Sequence, residues 1–210
     1  MRIVLKHGSW VIGIAVMAIG GCTLLPEQEA APATYVLAPA TPNETRINNR
    51  EAEPVLLVTT PQAHAGYASP QMAYTLRPYE LSFYSRNEWL DAPSRMLRPI
   101  LVSVLEQTGH FGAVVTETNA ALAQYRLDTE IVRLVHELRS SPHQGRVVLR
   151  VQLTDLARRR VLGTRTVSTE EATPENTPYG AVVAINRALA RAVDALAAFC
   201  VQAIPASSAP

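Results

Sequence analysis

The chain has 210 residues, 48% of them hydrophobic and 18% charged, which suits one globular domain and excludes a disordered chain. A mean hydropathy of +0.05 excludes a polytopic membrane protein, and a formal net charge of +1 gives no electrostatic case for nucleic acid. Lys6 is the sole lysine, so a chain shortened past it has no residue for Schiff-base chemistry or a phosphate-loop lysine.

The first residues read as a leader. Arg2 and Lys6 give a positive start, and Trp10 to Ile19 is an apolar run too short to span a bilayer but right for a signal-peptide core. Ile19-Gly20-Gly21-Cys22 follows at once, an aliphatic residue, two small ones and a cysteine, the pattern of a lipobox. The expectation is a signal peptide over 1–21 and a lipidated Cys22, carrying fatty acyl chains such as palmitate as its membrane anchor. Two or three acyl chains, at about 0.8 kcal/mol per buried CH₂, hold a protein on a membrane essentially permanently. The alternative is an ordinary signal peptide cut nearby, with Cys22 free or disulfide-bonded. Thr23, where Asp would favour retention, points to the outer membrane, periplasmic face.

Residues 22–53 are rich in Pro, Ala, Thr and Asn and read as a flexible tether with an r.m.s. span of about 30 Å. Tyr35-Val36-Leu37 is a β-prone island inside it that can alternatively pair as an edge strand. The domain is expected over 54–203, with 204–210 a disordered tail. Val55 to Thr59 suits a buried strand, and Met72 to Arg77 and Leu81 to Tyr84 suit two more. Met96, Leu97, Ile100, Leu101, Val104 and Leu105 recur at helical steps, with Asp91 as a candidate cap and Gly109 at the C′ position. Pro99 conflicts with a regular helix there and implies a kink or a break.

A brief strand at Val114-Val115 and a turn over Asn119 to Gln124 lead into three strands in series. Tyr125 to His136 alternates and then shifts phase, which implies a bulge. Arg146 to Asp155 alternates cleanly, and Val161 to Glu170 is polar enough for an edge. Short connections, one of them a solvated turn at Arg158 to Arg160, predict an antiparallel meander. A helix from Pro178 to Ala203 closes the domain, capped by Thr177, with Val182, Ile185, Leu189, Ala192, Leu196 and Cys200 as its apolar stripe. The expected class is α/β, a small layered sandwich: a mixed sheet with an antiparallel meander, packed by two main helices.

No glycine-rich phosphate loop, CxxC, HExxH or GxSxG is present, so no metal and no cofactor beyond the lipid on Cys22 is expected. His136-Glu137 reads as a surface or edge position, and Cys200 as a buried structural thiol. A Ser-His-Asp triad assembled by folding is the minor, enzymatic alternative. The segment Tyr74 to Trp89 concentrates Tyr74, Tyr79, Phe83, Tyr84 and Trp89 beside Arg77 and Arg86, amphipathic aromatics of the kind found at interfaces, or in ordinary core packing.

That block, with Asn87-Glu88-Trp89, Asp91 to Leu97 and Leu101 to Phe111, resembles the ABC-type transport auxiliary lipoprotein family over roughly Tyr35 to Val201. The resemblance implies a non-enzymatic envelope lipoprotein of an MCE-type or paraquat-inducible-type intermembrane lipid transport system. Its partners would be an MCE-domain protein, an ABC permease and its ATPase, with phospholipid as a further candidate ligand and a homo-oligomer compatible. Arg77, Tyr79 and Trp89 are the candidate partner-interface residues. A lipid-binding carrier and an envelope hydrolase are the competing readings.

Overall fold

The computed structural model describes residues 31–40 and 53–205. The leader 1–21, Cys22, most of the tether and residues 206–210 lie outside them. In chain order the elements are β1 (Ala33–Tyr35), β2 (Val55–Val58), β3 (Gln62–Ala63), β4 (Gln71–Thr75), β5 (Ser82–Trp89), α1 (Pro93–Gln107), β6 (Ala113–Val115), β7 (Tyr125–Glu137), β8 (Gln144–Asp155), β9 (Arg160–Ala172) and α2 (Pro178–Ala203). This is the expected mixed α/β architecture, one curled sheet of nine strands packed by two main helices.

Strand β7 is the spine. On one side it pairs antiparallel with β8 along its whole length, from Tyr125 against Asp155 to Glu137 against Gln144. On the other it takes β2, β3 and β4 in succession, all parallel. The phase shift in its sequence is real, because the register slips between Ile131 and Arg133. The slip turns Leu134 inward beside Val147, where an unbroken alternation would have turned Arg133. In β8, Val147, Leu149, Val151 and Leu153 are all buried, while Arg146, Arg150 and Gln152 stand on the open face. The predicted meander closes with β9 antiparallel to β8 and, among the described residues, without a strand on its far side.

Helix α2 covers the apolar face. Its whole predicted stripe, Val182 through Cys200, is buried, and the Thr177 hydroxyl accepts the Gly180 N–H at 3.0 Å with Pro178 in the first turn. The helix can lie this close because β8 carries glycine beneath it: a Cβ on Gly145 would stand 2.5 Å from the Ile185 nitrogen. Cys200 is buried as expected, and burial pushes its thiol up to about 12, far from reactive.

Helix α1 departs from its prediction in two ways. It is not split at Pro99 but runs continuously from Pro93 to Gln107, with the proline at its seventh position, near the middle, where one backbone bond is missing. Asp91 does not cap it; the carboxylate accepts the Ala92 N–H at 2.7 Å and holds Arg95. Gly109 lies just beyond the helix end with φ of 63°, as a C′ glycine should.

Two predicted boundaries move outward. The Tyr35 island belongs to the sheet: β1 pairs parallel with β5, Leu37 is buried, and Asn186 of α2 grips the segment by accepting the Ala38 N–H and donating to the Val36 carbonyl. The fold therefore begins before Pro54, and residues 31–40 belong to it and not to a tether over 22–53. At the other end Ile204 is fully buried and its carbonyl accepts from His110 Nε2 at 2.8 Å, so it belongs to the core and not to a tail.

Candidate partner-binding hairpin

The aromatic block folds as the β4–β5 hairpin, joined by Leu76 to Leu81. The tip is locally self-bonded. The Thr75 hydroxyl donates to the Arg77 carbonyl at 3.1 Å, and Arg77 Nε donates to Glu80 Oε2 at 2.7 Å. That hydrogen bond holds the Glu80 carboxyl below its usual range. Tyr79 is fully exposed and has φ of 64°, a left-handed conformation uncommon for anything but glycine or asparagine. Leu76, Leu81 and Phe83 add exposed apolar surface around it.

Behind the tip lies a cleft of about 460 Å³ floored by Val135 and walled by Tyr67 and Leu81. Glu137, 5% exposed, closes one end and takes Arg133 at 3.3 Å and Arg139 at 3.4 Å. Burial raises the Tyr67 hydroxyl, with Arg133 opposing that shift. The cleft thus sets two arginines, both ion-paired to Glu137, beside an apolar floor.

The three predicted interface residues separate. Arg77 and Tyr79 stand together on the tip. Trp89 does not join them: it is 2% exposed, pairs with Tyr35 of β1, and packs in the core. Its indole is the last residue of β5, and β1 lies alongside it, so the large apolar ring is buried where the strand leaves the sheet. Trp89 is corrected from interface to core.

His136 and Glu137 are corrected as well, since both are buried and neither lies at the surface. The Tyr84 hydroxyl and His136 Nδ1 are hydrogen-bonded at 2.7 Å, the tilted Tyr74 ring lies with its centroid 4.7 Å from that of Tyr84, and the His143 ring stands 5.5 Å from that of His136. Burial, reinforced by His143, lowers His136 to about 4, and burial raises Tyr84 to about 12. Both groups are therefore neutral at pH 7, a structural network under the hairpin and not an acid-base pair. Sequence reasoning missed it because β4 and β7 meet only through parallel pairing of distant segments. Among the described residues no group of three or more His, Cys, Asp or Glu converges as a metal site.

The sequence profile of the ABC-type transport auxiliary lipoprotein component matches residues 35–197. The chain belongs to that family. The match runs from β1 into α2, so it spans nearly the whole fold, including the Tyr35 island and the hairpin. Among solved structures, the Xanthomonas campestris protein XCC0632 is similar at 20% identity and a TM-score of 0.70, over 81% of this chain and 96% of that one. An uncharacterized protein is similar at 13% identity and a TM-score of 0.64, over 81% and 99%. At such identities the likeness establishes the fold alone. No curated protein matches the chain. This transport auxiliary lipoprotein is accordingly a component of the cell envelope acting beside an ABC transport system.

Proposed function

We propose that this lipoprotein is the non-catalytic docking subunit of an MCE-type intermembrane lipid transport system. It is held at the periplasmic face of the outer membrane by acyl chains on Cys22 and presents its β4–β5 hairpin to the MCE-domain protein. The permease and ATPase of the same system supply the energy. The observation that carries this reading is Tyr79: a fully exposed ring on a left-handed backbone, braced by the Arg77–Glu80 pair. A strained, exposed aromatic costs stability in the free protein, and such residues recover that cost as buried anchors in a complex.

The test is co-purification of the full lipidated chain with the MCE protein from detergent-extracted membranes. Tyr79→Ala and Arg77→Ala are expected to weaken the complex, with a central aromatic anchor worth about 2 kcal/mol or more, roughly thirtyfold. Binding unchanged in both variants would remove the hairpin from the interface.

A further inference from the structure

A second surface, remote in sequence from the hairpin, is built for an apolar ligand. Between α2 and the segment that follows β1 runs a groove of about 680 Å³, within the range of lipid and small-molecule sites. Tyr35, Val36, Tyr179, Val183 and Ala190 line it. Tyr179 is 56% exposed and Val36 47%, and the Tyr35 and Tyr179 rings lie 6.2 Å apart, so the apolar surface is continuous and open. Two arginines stand on its rim. Arg191 is already committed to Glu171 at 2.9 Å, whereas Arg187 is exposed and carries no ion pair among the described residues.

The lining segment is also the first part of the fold after the lipobox. Ala33 follows Cys22 by about 11 residues, at most roughly 40 Å of extended chain. Tyrosines over an apolar groove, with an arginine free for phosphate, are the composition of a membrane-interface contact. We infer that the groove between α2 and the β1 segment takes one acyl chain of a phospholipid from the bilayer that anchors Cys22, with the lipid phosphate on Arg187. Asn186 fixes the groove's width by tying Val36 and Ala38 to α2, so the site is preformed. The inference rests on the anchor of the proposed function but not on its hairpin, and the two fail separately.

The experiment uses the full lipidated chain in vesicles of phosphatidylethanolamine and phosphatidylglycerol containing a trace phospholipid with a diazirine in its acyl chain. After irradiation, adducts are mapped by mass spectrometry. Adducts are expected on Tyr179, Val183 and the Val36 segment. Arg187→Gln is expected to lower them roughly fivefold, the effect of removing one surface arginine from an anionic bilayer. Tyr179→Ser, at an exposed position, is expected to lower them as well. Labelling that is unchanged in both variants, or spread evenly over the surface, overturns the proposal. So does a protein adduct in place of lipid when a photocrosslinker at position 179 is activated in whole membranes. Co-purification of the MCE protein by both variants is expected to stay at wild-type level, which separates this site from the docking hairpin.

Discussion

At Tyr79, φ of 64° makes a sharp prediction. A left-handed backbone costs a side-chain-bearing residue about 1 kcal/mol or more, and glycine does not bear that cost. Tyr79→Gly should therefore unfold at equal or higher temperature than wild type while losing the docking partner; a clear drop in Tm would mean the ring packs within its own domain. His136 makes the opposite kind of prediction. Its folded pKa of about 4 lies below the ordinary 6.5, so the unfolded chain takes up the proton first. The stability that neutral His136 contributes is complete above pH 6.5 and is lost as pH falls toward about 4, up to about 3 kcal/mol. Urea melts at pH 7 and pH 5 should show the loss in wild type and a smaller one in His136→Gln, which keeps a partner for Tyr84. The crowding of aromatics beside Arg77 and Tyr79 was legible in the sequence. What hid the burial of Trp89 is the strand pairing around it: its neighbour β1 lies more than fifty positions upstream, and no local pattern announces that cover.

Elements with a strong internal period were legible to within a residue or two. The clean alternation of β8, the bulge in β7 and the stripe of α2 each follow from one buried face, and the structure has all three. The strand that escaped, β3, and the one foreseen only as an alternative to a tether, β1, are short and parallel. β3 has two residues and β1 three, too few to carry a period, and their pairing is decided by distant partners on β7 and β5. Where α2 crosses β8 the contact is backbone to backbone, which makes Gly145 the critical residue. Gly145→Val must push the helix off the sheet and should cost about 2 kcal/mol or more in urea denaturation. A loss below 0.5 kcal/mol, the ordinary surface level, would mean that α2 can shift freely. Thr177→Ala removes the cap of the same helix and should cost about 1 kcal/mol by the same measurement.

Across the whole molecule, the two proposed contacts lie on separate surfaces. One apolar face of the sheet is sealed by α2 and α1, which leaves the hairpin tip and the groove beside β1 as the places where exposed aromatics gather. Family membership sets the envelope and the ABC system as context, and under the docking role we propose the hairpin is the contact for a partner in it. The most direct measurement is to express the full chain and Tyr79→Gly beside the MCE, permease and ATPase proteins, fractionate the membranes, and quantify what each co-purifies. The account predicts that both chains reach the outer membrane and that only the wild type brings the MCE protein with it. Equal recovery of the MCE protein by both chains, or its absence from both, would contradict the docking role.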